Sequence, residues 1–334
     1  MAKTQITIPV FVPHSGCRHS CVFCNQWKVS GSSGQPAVED IEQTVKRYLS
    51  KVPPTVKRVE IAFFGGSFTG IEESKQQMFL RAAEGFVRMG LVHAIRLSTR
   101  PDCIDNEKLA LLKEFSVETV ELGVQSFDNS VLAAAGRGHT ALDVYRAMEL
   151  LKGCGFRTGI QLMPGLPGDT RERSIYSADE AVRLMPDDAR IYPCVVLAGT
   201  RLEAMYRSGE FTPLDLEEAV DISAQMYSRF TANGISVIRI GLHPLENSSS
   251  VIDGPYHTAM GFMVKSRYRR NVLDSLLAEH KPGHGSVVNL AIPRSFCEEY
   301  IGLRRGNMDY LKSRYSLASI EYHAADTDRP FIIA

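Results

Sequence analysis

Strand-like and helix-like segments alternate through the first two-thirds of this 334-residue chain. QITIPVF, VKRVEIAFF (56–64), HAIRLST (93–99), VETVELGV (117–124), FRTGIQLM (156–163) and ARIYPCVVL (189–197) read as strands. Helical spacing fills the intervals at 37–50, 71–90, 105–115, 128–135, 141–152 and 171–185. Parallel strands need crossover helices, and such units wind right-handed. Six units before about residue 200 predict an α/β fold, a partial (β/α)6 TIM-like barrel, whose sites gather at the C-terminal strand ends. Residues 215–233 read as a helix and 235–242 as a further strand. The polar stretch PLENSSSVIDGP (244–255) is the expected boundary, separating a core barrel at 1–243 from a C-terminal α+β extension at 244–334. In that extension 256–279 and 295–313 read as helices and 286–292 as a strand, with AMGFM (259–263) a candidate seam against the barrel.

The loop after the first strand, FVPHSGCRHSCVFCNQ, spaces Cys17, Cys21 and Cys24 as Cys-x3-Cys-x2-Cys. Three thiols on one loop suit a cubane iron–sulfur cluster whose fourth iron is left for chemistry. The competing reading is a zinc site completed by His14 or His19, although zinc sites usually come as paired, closed knuckles. Seven cysteines, three of them clustered, argue against a disulfide framework and for a reducing compartment, so a cytoplasmic location is expected. Cys103, Cys154, Cys194 and Cys297 read as small buried hydrophobes. No apolar run reaches the roughly 20 residues that cross a membrane, and MAKTQITIPVFVPH lacks the features of a secretory signal.

Short motifs fall at the other strand ends. Gly65-Gly66-Ser67 exposes backbone carbonyls to a bound ammonium. In Thr99-Arg100-Pro101-Asp102, Asp102 reads as a helix cap and Arg100 as a side chain directed to the site. Gln125-Ser126 ends the fourth strand, and Arg137-Gly138-His139-Thr140 follows a short helix. A guanidinium fork there matches a carboxylate, and Thr140 reads as a cap. His139 carries no catalytic reading by itself. Gln161, before the rigid MPGLPGD loop, can reach a ribose hydroxyl, and Tyr192 reads as packing.

With Phe23 directly before the third cysteine, the loop resembles that of the radical S-adenosylmethionine (SAM) superfamily. The resemblance implies a [4Fe-4S] cluster on Cys17, Cys21 and Cys24 that chelates SAM and splits it reductively to a 5′-deoxyadenosyl radical. It implies that Gly65, Gly66 and Ser67 meet the SAM amino group. Gln125 and Ser126 would lie by the adenosyl moiety, Arg137 by the carboxylate, and Arg100 and Gln161 nearby. It also implies an external electron donor of flavodoxin or ferredoxin type. STRPD, ELGVQS, GRGHT, LMPGLPGD and IYPCVVLAGTRLEAMYRSGEF, over roughly residues 8–215, are most similar to the Elongator catalytic subunit family, which modifies the wobble uridine of tRNA. Oxygen-independent coproporphyrinogen dehydrogenases resemble it more distantly. That family also carries an acetyltransferase domain and a basic N-terminal region. A chain ending at residue 334 has no room for the former and starts too late for the latter, so carboxymethyl formation is not expected of it alone.

Net charge is zero, which does not suggest a general nucleic-acid binder. Yet residues 255–314 hold ten Lys/Arg against five Asp/Glu, and Lys265-Ser266-Arg267-Tyr268-Arg269-Arg270 sets bases beside an aromatic ring. A basic face over 265–314 that binds tRNA or other RNA is one expectation, a solvated helix face or barrel cap the other. A small-molecule or peptide substrate, and a non-enzymatic iron–sulfur redox sensor, are the alternative functions. A sensor would leave the strand-end motifs without a purpose.

Overall fold

The computed structural model describes residues 4–17, 19–26, 34, 36–245 and 250–333. β1 (Gln5–Val12), β2 (Arg58–Gly65), β3 (Ala94–Thr99), β4 (Val117–Gln125), β5 (Arg157–Leu162) and β6 (Asp188–Ile191) form neighbours in chain order. The sheet has a seventh member, β8 (Ser236–Ile240), beside β6, and every pairing in it is parallel. The result is a curled half-barrel of seven strands: the six expected before residue 200 and, beside them, the further strand expected at 235–242.

The crossover helices are α1 (Val38–Leu49), α2 (Glu73–Arg88), α3 (Asn106–Lys113), α5 (Ala141–Gly153), α6 (Arg171–Arg183) and α8 (Leu216–Ala232), with short α4 (Asn129–Ala134) and α7 (Arg201–Ser208) among the loops. Several begin at a side chain that accepts the first free backbone N–H groups. Asp105 takes Lys108 N at 2.9 Å, Thr200 takes Glu203 N at 3.1 Å, and Asp215 takes Glu218 N at 2.7 Å. Asp102 is not such a cap. Its carboxylate instead pairs with Arg100, and the cap of the following helix is Asp105.

Strand alternation explains the wall. Ile8 and Val10, Val59, Ile61 and Phe63, Ile95 and Leu97, Val120, and Ile160 pack under the helices. Their alternate neighbours Arg58, Glu60, Arg96, Thr119, Glu121, Gln161, Asp188 and Arg190 face the lumen. The lumen is therefore not apolar. Arg96 lies 3.4 Å from Glu60, 2.9 Å from Glu121 and 3.1 Å from Asp188, all buried. Gly159, opposite Glu121 in the register, makes room: a Cβ there would sit 2.8 Å from Glu121 Cγ.

The expected strand at 189–197 breaks in two. After β6 the chain turns through Tyr192–Val195, and β7 (Val196–Leu197) pairs antiparallel with β9 (Val251–Asp253). Some of the polar 244–255 stretch is thus a strand, while 246–249 lies outside the described residues. α9 (Met260–His280) then joins two cores: Met260 and Val264 sit in the barrel's, Leu273 and Leu277 in that of a second layer. That layer packs α10 (Cys297–Ile301) and α11 (Gly306–Arg314) on a sheet of β10 (Val287–Pro293) between parallel β11 (Ser319–Ala325) and antiparallel β12 (Phe331–Ile333). The helix expected at 295–313 is interrupted at Gly302, whose φ is +77°.

At residues 267–270 the basic run in α9 is held within the protein rather than presented as a phosphate-tracking face. Arg267 pairs with Glu217 at 2.5 Å and Asp221 at 3.1 Å on α8. Arg269 lies 3.4 Å from Glu299 and 4.1 Å over the Phe296 ring, and Arg270 lies 4.1 Å over Tyr310. Tyr268 meets Tyr227 edge-on at 5.2 Å. These four residues are the cement of the α8–α9 seam and of the second layer.

Candidate active site

A cavity of about 1330 Å³ fills the concave side of the sheet. Cys17, Cys21 and Cys24 line its mouth at the C-terminal strand ends, half-buried and free of disulfides. Their loop is fastened on three sides. Ser67 N–H donates to the Ser15 carbonyl at 2.8 Å, Val22 N–H to Ala135 at 3.0 Å, and Leu202 N–H to Val22 at 2.8 Å. Val22 and Phe23 sink into a small apolar cluster with Val131, Leu166, Cys194 and Leu202. Phe23 is therefore an anchor for the thiols on either side of it.

The contacts to this loop are close enough to demand glycine. A Cβ on Gly66 would lie 2.2 Å from the Ser15 oxygen, and one on Gly16, at φ +72°, 2.1 Å from the Ser67 oxygen. The turn around Arg137 closes on the loop from the other side, where the His19 ring sits 2.6 Å from a Cβ built on Gly138. The loop's own ends are tied, since His14 Nε2 accepts from Gln26 N–H at 3.1 Å. That bond occupies the lone pair His14 would need as a zinc ligand through Nε2.

Gly65, Gly66, Arg100, Gln125, Arg137 and Gln161 line the cavity with the cysteines. Ser67 and Ser126 are not among the lining residues. The Ser67 hydroxyl is fully buried, 2.9 Å from Thr99 Oγ1, and accepts Arg100 N–H at 3.2 Å. Ser126 lies 3.1 Å from Ser177 Oγ and accepts Asp128 N–H at 3.1 Å. Both brace strand-end turns. Gln125 sits at φ +73° where the β4–β5 register slips, a bulge that re-aims its side chain. Its Oε1 accepts from Gln161 Nε2 at 3.0 Å, so the two amides act as one group. Thr140 does open α5, its backbone N–H and its hydroxyl both donating to Asp143 Oδ2 at 2.8 Å.

Arg100 is held by Asp102 in a fork at 2.9 and 3.1 Å, and also donates to the Arg137 carbonyl. Arg137 donates through Nη1 to Cys21 Sγ at 3.2 Å and through Nη2 to the Gly123 carbonyl. His139 is buried and donates Nε2–H to the Val124 carbonyl at 3.2 Å. Burial, reinforced by Arg137 and Arg100, lowers its pKa to about 3, so it is neutral. Burial pushes the Cys24 thiol up to about 12, with the neighbouring cysteines adding to the shift and Arg137 opposing it.

Sequence reasoning did not find the lumen charges or Tyr192. Tyr192 lines the cavity, and its oxygen accepts from Arg190 Nη1 at 3.1 Å. The signal available was a pair of charges two residues apart in β2 (Arg58, Glu60) and in β6 (Asp188, Arg190), with Arg96 in β3 and Glu121 in β4.

The donor set fits a cubane better than a single ion. A zinc site gathers four ligands around one point. Among the described residues no three Cys, His, Asp or Glu side chains converge in that way. A cubane takes each thiolate on a different iron, so its cysteines are spread out.

Fold and site define a class, and the family comparison agrees: the chain belongs to the radical SAM superfamily, matched over residues 11–180, with the radical SAM C-terminal domain matched over 186–270. The superfamily's cofactors are a [4Fe-4S] cluster and SAM. Among curated proteins the chain is 31% identical over 197 residues to the tRNA uridine(34) acetyltransferase of Methanocaldococcus infernus, covering 52% of this chain and 36% of that protein. It is 29% identical over 195 residues to human Elongator complex protein 3, covering 52% and 36%. The chain thus spans little more than a third of these relatives. The solved archaeal Elp3 of Methanocaldococcus infernus superposes with a TM-score of 0.65 at 23% identity, over 81% of this chain and 64% of that one, a likeness of fold.

Proposed function

We propose that this chain is an enzyme that cleaves SAM reductively at a cluster on Cys17, Cys21 and Cys24 and acts on a nucleotide of tRNA or another RNA. The observation that carries the first half is the set of three disulfide-free thiols at the mouth of a large cavity, with an unneutralised guanidinium against one of them. When bound, the cluster supplies the electron that splits the SAM sulfonium into methionine and a 5′-deoxyadenosyl radical. The protein's role is binding and orientation. The carbonyls of Gly65 and Gly66 would receive the amino group, the Gln125–Gln161 amide pair the adenosyl moiety, and the cavity-lining Arg137 guanidinium the carboxylate. Arg100, Ser67 and Ser126 stiffen the turns that carry these groups. The RNA half is supported by the tRNA activity for which the relatives are named and by sequence likeness to them.

In this proposal residues 1–243 are the core barrel, and 244–334 form an extension that caps it. The electron comes from an external flavodoxin or ferredoxin, and the protein works in the cytoplasm. Among the described residues no helix is long and apolar enough to cross a membrane.

The test is anaerobic reconstitution followed by reduction with SAM present. Released 5′-deoxyadenosine that disappears in Cys21→Ala supports the chemistry, and an intact cluster without that product overturns it. Comparing tRNA nucleosides in cells with and without the gene tests the substrate. Unchanged nucleosides alongside active SAM cleavage would move the assignment to a small molecule or peptide.

A further inference from the structure

Arg137 carries a charge that the protein leaves unbalanced. Among the described residues it makes no ion pair, its Nε has no partner, and its side chain is buried. Arg100 behind the same loop is different, because Asp102 neutralises it. A lone buried cation is costly unless something anionic faces it. Here the group that faces it is the Cys21 sulfur, at 3.2 Å. The chain holds this contact firmly. Nη2 is fixed on the Gly123 carbonyl, the residue's own carbonyl holds Arg100, and Gly136 and Gly138, at φ +66° and +72°, shape the turn.

We infer that Arg137 is a positioning residue for the cluster's electron. Its N–H to the Cys21 sulfur and its uncompensated charge raise the cluster's reduction potential, apart from anything it offers SAM. The inference rests on the reading of the cysteine loop as a cluster site. Potentials of such clusters are set by net charge and by hydrogen bonds to the sulfurs. Reduction adds one negative charge next to a fixed positive one, so the reduced form gains more from Arg137 than the oxidised form does. Removing the guanidinium should lower the reduced-to-oxidised ratio at fixed potential about tenfold, which for one electron is about 59 mV.

The experiment uses the full chain, reconstituted anaerobically, as wild type, Arg137→Met, Arg137→Gln and Arg137→Lys. Iron and sulfide per chain are measured first. Midpoint potentials are then titrated without SAM, following the electron paramagnetic resonance signal of the reduced cluster. The Met and Gln variants should titrate at a lower potential, and Lys should recover some of the difference. Should Met fail to hold a cluster, Gln, which keeps a donor but no charge, decides the matter. A neutral variant with full iron and the wild-type midpoint overturns the inference. If SAM then binds more weakly, Arg137 serves the SAM carboxylate alone. Wild-type protein without iron or sulfide removes the cluster reading itself, and this inference with it.

Discussion

Replacing Gly66 by alanine tests whether the strand-end turn holds the cysteine loop in place. The new methyl would lie 2.2 Å from the Ser15 oxygen, 2.6 Å from the Val12 oxygen and 2.9 Å from the Ser15 nitrogen. All three are backbone atoms, so no rotamer change relieves the clash. To make room the chain must break both hydrogen bonds that join turn to loop, Gly66 N–H to Val12 at 3.0 Å and Ser67 N–H to Ser15 at 2.8 Å. At about 1 kcal/mol net for each bond and ~1–3 kcal/mol for overpacking, the closed loop loses about 3–5 kcal/mol. At 1.4 kcal/mol per factor of ten, its population relative to open forms falls by about a hundredfold or more. The sheet beneath is untouched, so the opening is local rather than global. Reconstituted Gly66→Ala should therefore bind much less iron than wild type while its circular dichroism is preserved. Gly65→Ala is the internal comparison. Its methyl meets nothing nearer than 3.6 Å, but φ is +103°, a strain of about 1–3 kcal/mol. Iron content should fall in the order wild type, Gly65→Ala, Gly66→Ala. Wild-type iron in Gly66→Ala would refute the idea that this packing holds the thiols.

Other substitutions probe the surroundings. His139 has a folded pKa of about 3 against 6.5 when unfolded, so the stability tied to its neutral form is complete above 6.5 and is lost as pH falls toward 3. At pH 5 the loss is about 2 kcal/mol, and His139→Gln should flatten this acid limb in urea titrations at pH 7.5 and 5; an unchanged pH slope would contradict it. Arg96→Met removes the cation shared by Glu60, Glu121 and Asp188, leaving Glu60 to Arg58 and Glu121 to Arg190 but Asp188 without its ion pair. It should lose about 3–5 kcal/mol at neutral pH, and the deficit should shrink as the carboxylates protonate; an unchanged melting temperature at pH 7 would speak against a structural network. Arg269→Ala removes the contacts to Phe296 and Glu299 and should lose about 2 kcal/mol of stability, without changing RNA affinity when the chain is fully folded. Weaker RNA binding by folded Arg269→Ala would restore the basic-face expectation.

The half-barrel was legible because its outer wall repeats a local rule: Val59, Ile61 and Phe63 alternate with Arg58 and Glu60, and a helix follows. The same alternation carried the lumen chemistry, although in β2 it reads equally well as a strand with one solvated face. Pairing with the flanking strands brings Arg96 to Glu60 and Glu121, and only the curl of the sheet brings it to Asp188 on β6. The basic run at 265–270 misled for a related reason. Composition counts charges but does not show that Glu217 and Asp221, some fifty residues earlier, lie across a helix seam from Arg267. The cysteine spacing was the most specific local signal, but the loop's fastening to Ala135 and Leu202 is long-range and has no local pattern. Even the GRGHT motif changed in physical content. A guanidinium in a strand-end turn suggests an arm toward a carboxylate, whereas the folded chain spends one of its nitrogens on Cys21, one on Gly123, and leaves the third free. Because Arg137 also lines the cavity, one side chain can face both the cluster's sulfur and its ligand, and the neutral variants at Arg137 separate the two contributions, because only the first survives when SAM is withheld.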